Sequence, residues 1–203
     1  MPELISVSPF RCRMWRLHGR LDEHIDEETC RAEIDSFLSH GQQLRVLGRP
    51  LRGDKTHDFE LVYGARRLFV ARHLNVPLLV ELRELTDLEA IVAIDIENRQ
   101  RRELSPYERG CAYDLWIRSG LFPSQEYLAR TLKISPSRVS RLIKLALLPP
   151  VIVGAFENPL EIRERWARNL MDLWSDPEKK RALTAAAERM AREAKKAPAD
   201  SAF

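Results

Sequence analysis

Cysteine is scarce in this sequence, and long apolar runs are missing. The three cysteines, Cys12, Cys30 and Cys111, stand far apart, without a Cys-x-x-Cys pair. This spacing predicts neither a disulfide framework nor a zinc site, and it favours a reducing environment. No apolar run approaches the length of a membrane span, and residues 1–20 lack the apolar region of a signal peptide. We therefore expect a cytoplasmic protein without a membrane partner.

The overall charge is also too small to attract nucleic acid by itself. The 203 residues carry a formal net charge of +3, so a nucleic-acid role would need a local cluster of cations. A hydrophobic content of 44% and a charged content of 31% are ordinary for a globular protein with one large or two small domains. The five histidines form no set with the spacing of a catalytic site, so no catalytic residue is assigned.

Hydrophobic periodicity divides the chain into a mixed first half and a helical second half. Residues 1–19 show no periodicity and are expected to form an extended arm. After them, the patterns predict three helices, at 26–41, at 66–74 and from Asp87 onward, and three strands, at 44–50, 59–63 and 76–82. From Ser105 onward, strand signals vanish and breaks at glycine and proline separate short helices. The predicted fold class is α+β, with a small mixed α/β domain at 1–104, an all-helical domain at 105–160 and a helical tail at 161–203.

A polar segment, residues 97–108, joins the two halves. The apolar residues between 88 and 96 predict a helix, and Glu97 and Asn98 are expected at its end, where side chains can leave the core. Ser105 and Glu108 form a capping-box pattern that begins the next helix, with proline at the first helical position. A solvated charged linker is the alternative interpretation of this segment.

Residues 124–144 have the pattern of a helix-turn-helix, with two short amphipathic helices around a tight turn. Between residues 124 and 148 five cations face the single acid Glu126, a local charge of about +4 in a chain whose total is +3. Short hydroxyl and cationic side chains on the outer face suit a helix that enters a major groove of double-stranded DNA. A helical hairpin in a plain bundle is the alternative. The predicted DNA-binding residues are Ser124, Gln125, Ser135, Ser137, Arg138, Ser140, Arg141 and Lys144.

A second polar motif lies at the start of the helix predicted for residues 66–74. Gly64 breaks the preceding strand, and Arg66 and Arg67 follow it at the helix N-terminus, a position that favours anions. Exposed amides and two guanidiniums could hold a polyphosphate. The alternative is ordinary surface charge, since the sequence has no Gly-x-x-x-x-Gly-Lys phosphate loop.

Taken together, these motifs resemble those of ParB-type partition proteins over about residues 8–149. The resemblance rests on Gly-x-Arg-Arg at 64–67 with Ala71, on Glu-Asn-x-Gln-Arg at 97–101 with Leu-Ser-Pro-x-Glu at 104–108, and on a helix-turn-helix ending in Leu-Pro. It implies a CTP-binding first domain in which Mg²⁺ meets Glu97 and Asn98. The residues implied to contact the nucleotide are Arg13, Gly64, Ala65, Arg66, Arg67, Asn98 and Arg101.

The chain departs from the family pattern at two places. Ala65 stands where many relatives have glutamate, which puts CTP hydrolysis in doubt although binding could survive. Fewer than fifty residues follow Pro159, so the family's C-terminal dimerisation domain is expected to be short or missing.

The resemblance implies a sequence-specific DNA-binding protein for plasmid or chromosome partition, switched by CTP and Mg²⁺. Its partners would be double-stranded DNA, a ParA-like ATPase and a second copy in a nucleotide-dependent homodimer, and its location the nucleoid or a plasmid. Two alternatives are a ParB-like transcriptional regulator of a mobile element, and a ParB-fold nuclease or nucleotide-dependent enzyme with the cluster at Glu97 as its catalytic centre.

Overall fold

A computed structural model describes residues 3–19, 25–101 and 104–194. The chain divides into two compact units, Met1–Arg101 and Arg102–Phe203. Within the first unit, strands and helices alternate, whereas the described residues of the second unit contain helices alone. This distribution confirms the α+β class. The segment beyond residue 160 belongs to the second unit, so a separate helical tail stays a prediction.

The first unit is built on a mixed five-stranded sheet. In the sheet the strands follow the order β1-β5-β3-β4-β2. The pairs β1–β5 and β3–β4 are antiparallel, while β3–β5 and β2–β4 are parallel. The strands are β1 (Glu3–Val7), β2 (Cys12–Met14), β3 (Val46–Pro50), β4 (Phe59–Tyr63) and β5 (Leu78–Leu82).

Residues 1–19 are predicted to form an extended arm, and the structure shows that extended segments within this range belong to the sheet. Residues 3–14 contain β1 and β2, the two edge strands, which are joined by a 3₁₀ turn at Pro9–Arg11. An edge strand pairs on one side only. Because β1 is half exposed and β2 has three residues, neither shows the alternation that marks a strand in sequence. The strands and helices predicted between residues 26 and 82 are confirmed, with ends shifted by a few residues.

In the part of this unit that the structure describes, three α-helices accompany the sheet: α1 (Arg31–His40), α2 (Ala65–His73) and α3 (Asp87–Arg101). The core between α2 and the sheet contains Leu61, Leu68, Ala71, Leu78 and Val80. A second cluster, Cys30, Ile34 and Val70, joins α1 to α2. The register of α2 against the sheet is therefore fixed by apolar contacts on two of its faces.

Helix α3 extends beyond the apolar residues that predict it, and it buries only some of them. It ends at Arg101, so Glu97 and Asn98 lie close to its end, where they are expected. The buried stripe is Ala90, Ile91, Ile94 and Asn98, whereas Leu88 and Ile96 are exposed. Good helix formers after Ile96 extend the helix although the apolar pattern has ended.

The second unit contains six α-helices within its described residues. Ser105 accepts a hydrogen bond from the Glu108 amide at 3.1 Å, and the Glu108 carboxylate accepts one from the Ser105 amide at 3.1 Å, which confirms the capping box. Gly110, near the start of the first helix, packs against the backbone of Leu142. The helices are α4 (Pro106–Arg118), α5 (Gln125–Leu132), α6 (Pro136–Ala146), α7 (Pro150–Val153), α8 (Ala167–Ser175) and α9 (Pro177–Ala194). In the ranges that the structure describes, none of the helices is both long and apolar enough to span a bilayer.

Candidate functional sites

The turn before α2 needs glycine at position 64. Gly64 precedes the helix with φ of +108°, in the left-handed region that other residues rarely adopt. A Cβ at this position would also lie 2.3 Å from Cγ1 of Val46, so β3 leaves no room for a side chain. This tight turn places Ala65, Arg66 and Arg67 in the first turn of α2, directly after β4.

The structure brings Arg67 and Glu97 together, although thirty residues separate them in sequence. Nη2 of Arg67 lies 4.0 Å from Oε1 of Glu97, and the two side chains are only 12% and 13% exposed. Asn98 is buried beside Glu97 in sequence on α3. Burial raises the pKa of the nearby Tyr63 hydroxyl, and the negative charges of Glu97 and Glu81 raise it further. The two motifs predicted to hold phosphate and metal thus meet in a half-enclosed polar site.

Arg66 points to a different helix from its neighbour Arg67. Its guanidinium forms an ion pair with Glu33 on α1, where Nη2 lies 2.7 Å from Oε2, and it donates to the carbonyl of Thr29. Adjacent residues on a helix are about 100° apart around the axis, so they reach different neighbours. The sequence could not reveal this division of the arginine pair. The side chain of Arg101 lies outside the described part of the structure.

A pocket of about 440 Å³ opens beside the start of α2, on the side of Arg13 and Ala65. This size is within the range of small-molecule sites, which is roughly 300–1,000 Å³. Arg13 forms part of the pocket wall. Its guanidinium forms ion pairs with Asp54 at 3.1 Å and with Glu60 at 2.9 Å. The other lining residues are Met14, Ile25, His57, Leu68, Phe69 and Arg72.

Sequence reasoning missed Arg72 and His57. Arg72 donates to the carbonyl of Cys12 at 2.7 Å and to that of Pro9 at 3.2 Å, so it ties α2 to the segment that carries Arg13. Its spacing gave a signal, because Ala65, Phe69 and Arg72 recur at helical spacing along one face of α2. His57 lies in the loop between β3 and β4, where periodicity gives no signal.

The donors near Arg67 suit a magnesium ion only with help from other oxygen ligands. Glu97 offers a carboxylate and Asn98 an amide oxygen, the hard ligands that Mg²⁺ prefers. Among the residues the structure describes, no group of three or more His, Cys, Asp or Glu side chains could form a metal cage. Such an ion would therefore take most of its ligands from water and phosphate, as Mg²⁺ commonly does in nucleotide sites.

The second candidate site is the exposed face of α6. Ser124 caps α5 by accepting from the Tyr127 amide at 3.1 Å, and Ser135 caps α6 by accepting from the Arg138 amide at 3.3 Å. Lys133, with φ of +55°, makes the turn between the two helices. The hydroxyl groups of these two serines therefore fix the N-termini of α5 and α6.

The face of α6 turned away from the core carries four of the eight predicted DNA-binding residues. The helix buries Val139, Leu142, Ile143 and Leu145. Gln125, at the start of α5, is also exposed, while Ser140 is half-buried. The exposed members on α6 are Ser137, Arg138, Arg141 and Lys144. Short polar groups and three cations thus project from a helix whose opposite face is anchored in the unit.

Comparison with known proteins places this chain beside bacterial partition proteins. No family model matches it. Chromosome-partitioning protein Spo0J of Thermus thermophilus is 36% identical over 150 residues, which are 72% of this chain and 52% of that protein. Protein SopB of Escherichia coli O157:H7 is 30% identical over 166 residues, which are 82% of this chain and 50% of that protein. The chain spans about half the length of these curated relatives.

Solved structures with the same fold are more distant in sequence. A Pnob8-like ParB-N domain aligns over 95% of this chain and 94% of its own, with a TM-score of 0.57 and 11% identity. C-terminally truncated ParB of Caulobacter crescentus, complexed to the centromeric parS site, aligns over 95% of this chain and 100% of its own, with a TM-score of 0.52 and 22% identity. The same Caulobacter protein complexed with CTP-γ-S aligns over 93% of this chain and 98% of its own, with 22% identity and a TM-score of 0.44, a value that does not by itself establish a shared fold.

Proposed function

The chain belongs to the ParB-type family of partition proteins, and from this premise we propose that it is a DNA-binding partition protein that CTP and Mg²⁺ control. The observation that carries the DNA-binding part is the two-sided character of α6. One side is buried in the second unit, and the other exposes Ser137, Arg138, Arg141 and Lys144. Hydroxyl and guanidinium groups on a rigid helix can donate to phosphates and to base edges in a major groove.

Arg141 supplies the direct test of DNA binding. Replacing it with alanine removes a cation from the exposed face. The affinity for a DNA duplex that the wild-type chain binds should therefore fall, and the slope of log affinity against log salt concentration should become shallower by about one unit. Arg118→Ala is the matched control, because Arg118 is an exposed cation on α4 that pairs with Asp114. Fluorescence anisotropy over a range of salt concentrations measures both quantities. Equal effects of the two substitutions would show that α6 is not the DNA-binding surface.

The nucleotide part of the proposal rests on the contact of Arg67 with Glu97 and on the family pattern that both residues match. Arg67 would bind phosphate oxygens, and Glu97 with Asn98 would hold the magnesium ion. When bound, that ion would neutralise part of the triphosphate charge. The pocket lined by Arg13, Ala65 and Arg72 would take the remainder of the nucleotide. The choice of CTP among nucleotides comes from the family resemblance.

Isothermal titration with CTP, ATP, GTP and UTP, each with Mg²⁺, tests this part. We expect CTP to bind most tightly and Arg67→Ala to abolish its binding. Arg52→Ala is the matched control in the same unit, because Arg52 is largely exposed and pairs only at the surface with Glu84. Equal weak binding of all four nucleotides would refute the proposed CTP switch.

The ParA-like ATPase and the nucleotide-dependent homodimer stay predictions. Sedimentation of the chain with and without CTP and Mg²⁺ tests the dimer. A sedimentation coefficient that does not change with nucleotide would count against nucleotide-dependent assembly. The nucleoid or plasmid location is part of the same proposal and follows from DNA binding.

A further inference from the structure

Glu164 lies against two of the cations proposed to contact DNA. Its Oε1 is 3.0 Å from Nε of Arg141, and its Oε2 is 3.5 Å from Nε of Arg138. Each carboxylate oxygen therefore faces a different arginine. The arginine side chains are about 45% exposed, while that of Glu164 is 25% exposed. Both arginines remain accessible to an outside ligand on their solvent side.

The carboxylate of Glu164 is held in place by the segment that carries it. Glu164 begins a 3₁₀ turn, Glu164–Trp166, and the flanking residues Ile162 and Ala167 are fully buried. The ring of Trp166 stacks on that of Phe156, with centroids 5.9 Å apart. Because both sides of the turn are anchored, Glu164 stays beside α6 rather than sampling solvent freely.

This position gives Glu164 the same role toward the arginines that a DNA phosphate would have. A carboxylate and a phosphate both offer paired oxygens to guanidinium donors. A phosphate that approached Arg138 and Arg141 would also meet the negative charge of Glu164. With Glu164 in contact, the three exposed cations of α6 act with a net charge of about two, which lowers the number of counterions that DNA binding can release.

We infer that Glu164 is an internal acidic competitor that occupies the DNA-contacting arginines of α6 and limits the affinity of the free chain for DNA. This inference rests on the proposed DNA-binding function of α6. The opposite role, in which Glu164 holds the arginines ready for DNA, predicts that its loss weakens binding. The sign of the effect therefore separates the two roles.

Glu164→Gln provides the test, because it removes the charge while keeping the size of the side chain. Glu161→Gln is the matched control, since Glu161 is exposed, lies three residues away and makes the same change in net charge. The probe is a fluorescent mixed-sequence duplex of about 30 base pairs, titrated between about 50 and 200 mM salt. Exposed ion pairs contribute little singly, so two of them predict between about twofold and thirtyfold tighter binding by Glu164→Gln. The salt slope should steepen by up to about one unit, and Glu161→Gln should change both quantities much less.

A second variant pair checks that the effect passes through the arginine. In an Arg141→Ala background, Glu164→Gln should tighten binding less than in the wild-type chain, because one of the two released cations is gone. Unchanged or weaker binding by Glu164→Gln, or a gain equal to that of Glu161→Gln, would overturn the inference while leaving the DNA-binding function intact. If neither the wild-type chain nor any variant binds the duplex, the proposed function is wrong and the inference fails with it.

Discussion

Gly110 makes the closest approach between α4 and α6, and alanine at this position gives the sharpest test of the second unit. A Cβ on Gly110 would lie 2.1 Å from the carbonyl oxygen of Leu142 and 2.9 Å from its carbonyl carbon. The obstructing atoms belong to the backbone of α6, so no side-chain rotation can relieve the contact. Helices α4 and α6 would have to move apart by about 1.4 Å to bring this distance to roughly 3.5 Å, an ordinary van der Waals separation.

Two effects of opposite sign decide the outcome of Gly110→Ala. Alanine in place of glycine inside a helix is intrinsically stabilising by about 1 kcal/mol. Overpacking a rigid contact costs about 1–3 kcal/mol, and a backbone obstruction favours the upper end of that range. We therefore expect a net loss of about 2 kcal/mol in the free energy of unfolding. DNA binding should weaken as well, because α6 must shift from its position against α4.

Urea denaturation of the full chain, followed by circular dichroism, measures the loss. Compared with the wild-type chain, Gly110→Ala should then show faster hydrogen–deuterium exchange in α4 and α6, with little change in the sheet of the first unit. Gly154→Ala is the matched control, because Gly154 has an ordinary helical φ of −70° and its added Cβ would lie 3.2 Å from the carbonyl oxygen of Pro150. Neutral or increased stability of Gly110→Ala would refute the close approach of the two helices.

Three further predictions concern a helix cap, a buried thiol and the nucleotide pocket. Ser105→Ala removes the acceptor for the Glu108 amide, so the chain should lose about 1 kcal/mol of stability in urea denaturation, and an unchanged midpoint would contradict the capping box. Burial raises the pKa of Cys12 to about 11, so iodoacetamide at pH 8 should label it far more slowly in the folded chain than in urea, and equal rates would refute its burial. Ala65 lines the pocket, so Ala65→Glu should raise the release of phosphate from CTP if the missing carboxylate limits hydrolysis, and no change relative to the wild-type chain would refute this explanation.

Local signals in the sequence predicted the parts of the fold that local chemistry determines. The Ser105–Glu108 capping box, the glycine turn before α2 and the two faces of α6 depend on residues within one or two helical turns, and each is confirmed. The buried residues of α6 could be predicted because its apolar positions recur at helical spacing. The DNA-contacting and nucleotide-contacting roles of the exposed residues stay predictions.

The features that sequence patterns missed depend on packing between distant segments. Strand β1 is visible only through its pairing with β5, which lies more than seventy residues away in sequence. The ion pair of Arg66 with Glu33 and the contact of Arg67 with Glu97 depend on which helix flanks each side of α2. Propensity and periodicity carry no information about contacts between distant helices. From sequence alone, Arg66 and Arg67 therefore resemble one phosphate-binding unit, although each contacts a different helix.

The short link between the two edge strands limits the shape of the sheet. Strands β1 and β2 lie at opposite edges, yet only residues 8–11 join them, and three of these form a 3₁₀ turn. From Val7 to Cys12 the chain takes five Cα–Cα steps, two extended and three in the 3₁₀ turn. These steps reach about 13 Å, whereas the edges of a flat five-stranded sheet are about 19 Å apart. The sheet must therefore curl toward a half-barrel, which the irregular register between Leu47 and Gly48 assists. Such a curl brings β1 and β2 toward each other and leaves little space for a strand from another molecule to add beside either.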